Sequence, residues 1–303
     1  MINKVKQIKK NVHRSIIALM AMILIVGNFD LTTIRAANPR VTTGDIIRYS
    51  YNVTDSEGHG TFGQESYYIY VDGEIAFCVE PGQLVDVNAN YSASKYSSAQ
   101  RTTIENIAYV GWELSNKTDE DYIATQYMIW EALGATLNST SYSGYSAKKR
   151  QIQNKIDLLF NTNPSFTGDT INLKVGESVT LTDANGVFNN YSLSSKSTGI
   201  TISKSRNKLT ITANANAPEN ATISYQLVKE ECVGTTMLYS AVGSQDCITA
   251  KKSDPKGILI HLNVEKYGSL KITKQDEDGT YVPDTSFKVS ANADMSNPIG
   301  TYT

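Results

Sequence analysis

The chain has 303 residues, with 28 Lys+Arg against 30 Asp+Glu and a formal net charge of −2. The densest cluster of basic residues is at the amino terminus, and the balanced charge of the rest gives no reason to expect nucleic acid. Three histidines leave a His-based zinc site, or a hydrolase activated by His, little to build on.

The first elements follow from charge and hydropathy. Lys4, Lys6, Lys9, Lys10 and Arg14 precede an apolar run from Ser15 to Val26, and the small residues Ala36 and Ala37 come after it. That order predicts a secretory signal peptide over residues 1–37. The run is shorter than the roughly 20 residues that span a bilayer, so the mature chain is expected to be exported with no integral membrane span. Strands are predicted over 46–53, 67–71 and 74–79, the last two joined by Asp72-Gly73, a two-residue hairpin signal. Cys78 falls near the end of the hairpin strand, on the face of Ala76 and opposite Phe77 and Val79, before Pro81-Gly82 closes it.

From Arg101 to Phe160 the pattern turns helical. Thr118 with Asp121 three residues on reads as a capping box, opening a helix through Leu133 that Gly134 ends. A second helix is predicted over 147–160, with Ile152, Ile156 and Leu159 on one face. On the first helix Gln126 shares a face with Ile123, Ile129, Trp130 and Leu133. A buried unpaired amide costs about 1–3 kcal/mol, so Gln126 needs a partner. By spacing alone that partner is a backbone loop as readily as a thiol.

Residues 166–264 read as short strands without helix signals: 171–175, 178–181, 200–203, 209–213, 223–228 and 258–264. Strands at such intervals predict a β-sandwich, with no catalytic constellation and a spacer role. Three cysteines in an oxidising compartment suggest one bridge and one thiol with another task. Cys232 and Cys247 are close in sequence and are expected to pair. Cys78 is then left buried, paired between chains, or chemically used.

The segments Phe77-Cys78-Val79-Glu80-Pro81-Gly82 and Thr125-Gln126-Tyr127-Met128-Ile129-Trp130 together resemble the thioester domains of Gram-positive surface proteins and pilus-tip adhesins. That family pairs a cysteine on an early strand with a glutamine in a Thr-Gln-x-Ala-Ile/Val-Trp helix motif. Thr125, Gln126, Ile129 and Trp130 stand in register, while Met128 departs from the usual alanine and adds volume. The likeness covers residues 40 to 160 or so. It implies that Cys78 and Gln126 condense to an internal thioester, for which Trp130 and Phe77 are either shields or simply core. An amine, usually a lysine on a host surface or extracellular-matrix protein, then captures the Gln126 acyl group. No cofactor or metal enters, and each molecule reacts once, unlike an enzyme.

The last stretch, Tyr267 to Gly279 followed by Phe287, resembles the opening of a collagen-adhesin B-type domain. In that family an inward lysine forms an isopeptide bond, and Lys274 holds its position. The expected fold is therefore multidomain. An α+β thioester domain spans 38–163, an all-β sandwich 164–264, and the first part of a B-type domain 265–303. By the same resemblance, the remaining strands and a cell-wall anchor lie beyond residue 303. Two other readings stay open: a non-covalent adhesin or pilus stalk protein without a thioester, and a cysteine hydrolase or transpeptidase using Cys78.

Overall fold

The computed structural model describes residues 38–266, 271–290, 292–296 and 298–303. The predicted signal peptide lies outside the described residues, as do residues 267–270 at the start of the B-type likeness. In chain order the elements begin with β1 (Val41–Ile47), β2 (Tyr51–Thr54), β3 (Gly60–Gly63), β4 (Ser66–Val71), β5 (Glu74–Cys78) and β6 (Ser92–Lys95). Helix α1 (Arg101–Ala108) runs into a π-helical turn (Tyr109–Glu113), followed by α2 (Asp119–Ala132), β7 (Thr136–Thr140) and α3 (Tyr145–Asn161). Strands β8 (Thr170–Lys174), β9 (Ser178–Thr182), β10 (Ser192–Lys196), β11 (Ile200–Ser205), β12 (Lys208–Ala213) and β13 (Asn220–Gln226) come next. The chain closes with β14 (Met237–Ser240), β15 (Cys247–Thr249), β16 (Gly257–Glu265), β17 (Phe287–Ser290) and β18 (Pro298–Tyr302).

The chain divides into two compact units. One runs to Thr162 and takes in Leu227–Lys256, and the other holds Asn163–Gln226 and Gly257–Thr303. The first is built on an antiparallel six-stranded sheet, β1-β4-β5-β15-β14-β6, with a smaller sheet β3-β2-β7. The β4–β5 hairpin turns where the Asp72-Gly73 signal places it. Both residues are left-handed, at φ 51° and 86°, as a type I′ turn requires. Beyond β5 the sheet continues with a distant strand, β15, pairing Cys247 with Cys78 and Ile248 with Phe77. Local pattern cannot say which sheet edge a strand will join. Residues 227–256, expected in the sandwich, therefore belong to the first unit.

This pairing also removes the expected Cys232–Cys247 bridge. All three cysteines are free and buried. Within the β14–β15 hairpin Cys247 stands opposite Tyr239. Cys232, in a short 3₁₀ turn, instead accepts the Lys252 N–H through its carbonyl at 2.8 Å. It thus sits level with a residue five positions further on, each adding roughly 3.3 Å. A disulfide needs Cα atoms within about 7 Å.

Helix α2 begins at the predicted capping box. Asp121 N–H donates to Thr118 Oγ1 at 3.3 Å, and Thr118 N–H donates to Asp121 Oδ2 at 3.2 Å. Periodicity predicts one apolar face, yet every residue from Asp121 to Trp130 is buried. The helix is central rather than amphipathic, so its polar members must find partners inside. Asp121 finds Lys148 of α3 at 2.7 Å. The π-helical turn presses on the same helix, where a Cβ at Gly111 would stand 2.4 Å from Thr125 Oγ1. Ile152, Ile156 and Leu159 of α3 are buried as the sequence predicts.

The second unit contains the expected β-sandwich, with sheets β10-β13-β16-β8 and β11-β12-β9. Strand β16 alternates strictly, burying Ile258, Ile260, Leu262 and Val264. Strand β10 is exposed along its whole length and so carries no apolar pattern to announce it. The β17–β18 ribbon forms a separate two-stranded sheet. Lys274 does not point into a core, contrary to the expectation for an isopeptide lysine. It is exposed in an irregular stretch linked only by a Gln275–Tyr281 bridge among the described residues.

Replacing Thr118 by Ala removes the cap from the helix that carries Gln126. The expected loss of stability is about 1 kcal/mol, read as a lower denaturant midpoint at unchanged slope.

Candidate functional site

Cys78 is the last residue of β5, and Gln126 lies two turns into α2. The chain leaves β5 through a turn that only glycine fits. Gly82 adopts φ +98°, and a Cβ there would meet Thr61 Oγ1 at 2.4 Å. The helix presents the Gln126 side chain to the strand end, and two hydrogen bonds fasten it. Cys78 N–H donates to Gln126 Oε1 at 2.8 Å, and Gln126 Nε2 donates to Cys78 O at 2.9 Å. The partner that a buried glutamine demands is therefore the backbone of the cysteine itself. Thr125 fixes the adjoining turn, donating to Asp121 O at 2.7 Å while packing against Gly111.

A third side chain completes the site. Cys78 Sγ donates to Gln245 Oε1 at 2.7 Å, and Gln245 Nε2 donates to Glu80 O at 2.7 Å. Gln245 precedes β15, and its N–H bonds Leu84 O at 3.1 Å, tying the loop after Cys78 to the returning segment. Ser244 reinforces this tie by accepting from Asp86 N at 2.8 Å and meeting Tyr91 Oη at 2.6 Å. Sequence reasoning missed Gln245. It lies 167 residues from Cys78, in a segment without a motif, and only the β5–β15 pairing brings it near.

These groups line a cleft of about 410 Å³. Tyr51, Tyr122 and Trp130 contribute walls, Glu65 and Tyr67 lie at its margin, and Leu84 and Val87 form an exposed apolar lip. Trp130 packs on Tyr51 with ring centroids 5.4 Å apart. Its indole N–H is buried without a hydrogen-bond partner among the described residues. Phe77 turns away from the cleft and stacks on Tyr122 at 5.2 Å, and Ile129 is core. Met128 is buried but does not line the cleft, so its extra volume is absorbed elsewhere on the helix. Cys232 and Lys274 take no part. Cys247 is Cys78's cross-strand neighbour.

Electrostatics keep the sulfur protonated. Burial, then the neighbouring Cys247 and Glu80, push the Cys78 thiol well above the usual range. Burial also raises the phenol of Tyr122, which donates to Ala76 O at 2.9 Å. No group of three or more His, Cys, Asp or Glu suited to a metal occurs among the described residues. The arrangement is a protonated thiol beside an amide carbonyl already polarised by an N–H donor.

The family model described as Thioester domain matches residues 75–162, which include both Cys78 and Gln126. The solved thioester domain of the Staphylococcus aureus TIE protein is 28% identical, with a TM-score of 0.68, and the match covers 76% of this chain and 100% of that one. Residues 75–162 match a thioester domain in sequence, and the fold is similar to that of a solved one. Coverage of 76% exceeds the first unit, so the likeness takes in strands of the β-sandwich as well. The Bacillus anthracis TIE protein is 10% identical with a TM-score of 0.33, over 75% of this chain and 49% of that one. No curated protein matches the chain.

The environment of the thioester-domain cysteine can be tested with Gln126→Ala, in which the sulfur must remain a thiol. Because burial raises its pKa, alkylation of Cys78 should be slow at neutral pH and still accelerating at about pH 10, where an ordinary thiol of pKa about 8.5 is almost fully ionised. A rate that has levelled off by that pH would show the thiol to be unperturbed.

Proposed function

We propose that the chain is a secreted surface adhesin that attaches covalently to its target through a Cys78–Gln126 thioester. The reciprocal hydrogen bonds between the Gln126 carboxamide and the Cys78 backbone carry this reading. Sγ adds to the Gln126 carbonyl carbon, and the oxygen that gains charge already accepts the Cys78 N–H. The thiol proton passes to the departing amide nitrogen, which leaves as ammonia as the C–S bond settles. Gln245 holds the S–H against the site until the proton is transferred. Such pre-alignment can supply about 7–11 kcal/mol of the barrier. Exclusion of water then preserves the acyl group, since Cys78 and Gln126 are only 6% and 3% exposed.

The target supplies an amine, for which a lysine on a host surface or matrix protein is the natural source. Glu65 and Glu80 bias the neighbourhood towards a cation, and Leu84 and Val87 offer apolar surface to an aliphatic stem. The amine attacks the acyl carbon, an amide forms at residue 126, and the Cys78 thiol is released. The product is a permanent link, so each molecule turns over once. Export by the predicted signal peptide and anchoring to the cell wall complete this reading.

Incubation with a fluorescent primary amine should label the secreted protein in a form stable to detergent and reductant. Cys78→Ala and Gln126→Ala should each reduce labelling at least 100-fold while remaining folded, Gln126→Ala at a lower unfolding midpoint because it leaves the buried Cys78 N–H and C=O unpaired. Labelling that survives in either folded variant would remove the thioester from the account.

A further inference from the structure

A second carboxamide lies against a nucleophile elsewhere in the first unit. Glu105 and Asn106 are neighbours on α1, and Lys252 follows β15 on the returning segment. Lys252 is 3% exposed and Glu105 1%. Lys252 Nζ donates to Asn106 Oδ1 at 2.8 Å and stands 3.6 Å from Glu105 Oε2. The Phe160 ring covers the amine, its centroid 4.9 Å from Nζ. Glu105 is held in place by Thr236 Oγ1 at 3.2 Å, Ser253 Oγ at 3.1 Å and Ser253 N–H at 3.3 Å, with Arg101 Nε at 3.6 Å.

We propose that Lys252 and Asn106 condense to an internal amide, with Glu105 as the proton carrier. This is the thioester condensation with an amine in place of the thiol, and it does not rest on that bond forming. Burial lowers the Lys252 pKa, with Glu105 opposing, and so increases the share of neutral amine. Nζ adds to the Asn106 carbonyl carbon, and Glu105 takes the proton that Nζ sheds. The carboxylic acid then returns that proton to the Asn106 amide nitrogen, which leaves as ammonia. One C–N bond forms, one breaks, Glu105 is regenerated, and no oxidant or cofactor is needed.

The link would join residues 146 apart in sequence. It would fasten α1 to the segment that also carries Gln245 and β15 to Cys78. A cross-link across so long a loop removes much of the freedom of the unfolded chain.

The test is proteolysis of the secreted full chain followed by tandem mass spectrometry. The expected product is a branched peptide joining residues 106 and 252, one ammonia lighter than its two parts. It should persist in Cys78→Ala, which separates it from the thioester, and should resist methylamine. It should vanish in Asn106→Ala, where the half-buried position tolerates the change, and in Glu105→Gln if that variant folds. Separate, unlinked peptides from folded wild-type protein would overturn the proposal. So would a branched peptide at Lys252 that survives Asn106→Ala, and a link at full yield in folded Glu105→Gln would overturn the role of Glu105.

Discussion

Two hydrogen bonds between one side chain and one backbone unit organise the first unit of this protein. Leaving a carboxamide unpaired inside the core would cost about 1–3 kcal/mol. Gln126 avoids that cost by bonding both the N–H and the C=O of Cys78. The same bonds that make its burial tolerable bring its carbonyl to the residue that carries the thiol. Stability and reactive alignment therefore come from one contact, and weakening it would affect both.

Around that contact the structure keeps the thiol buried and protonated. Burial disfavours the thiolate, so the sulfur is a poor target for stray oxidants and electrophiles. Its proton is held by Gln245, a neutral acceptor, rather than by a base that would ionise it. Cys247 beside it is also buried, with its thiol raised to about 12 by burial and Asp246. In the proposed condensation, the Cys78 proton moves only when the leaving group on the Gln126 carbonyl can take it. In the same proposal, the cysteine's own N–H, which already bonds Gln126 Oε1, would be the oxyanion donor.

Much of this was legible in the sequence because the signals are local. Asp72-Gly73, the Thr118–Asp121 box and the strict alternation of β16 act within a few residues, and the elements formed where they indicated. Cys78 and Gln126 were legible as a pair because each sits in a motif. What escaped depends on long-range pairing. The return of Leu227–Lys256 to the first sheet places Gln245 and Cys247 beside Cys78, separates Cys232 from Cys247, and sets Lys252 against Asn106. Register between distant strands leaves no trace in the composition of either. The all-round burial of α2 escaped for a related reason. Gln126 was expected on the apolar face, but Thr125 and Tyr127 look like surface residues until the rest of the first unit closes over them.

The most direct test of the central claim is the chemical state of residue 126 after the secreted protein has been exposed to methylamine and digested. The account predicts a methylamide at that position, or glutamate in molecules whose thioester had already met water, together with a newly titratable Cys78 thiol. In Cys78→Ala the residue should remain glutamine. Unmodified Gln126 beside a free Cys78 thiol in the folded wild-type protein would contradict it.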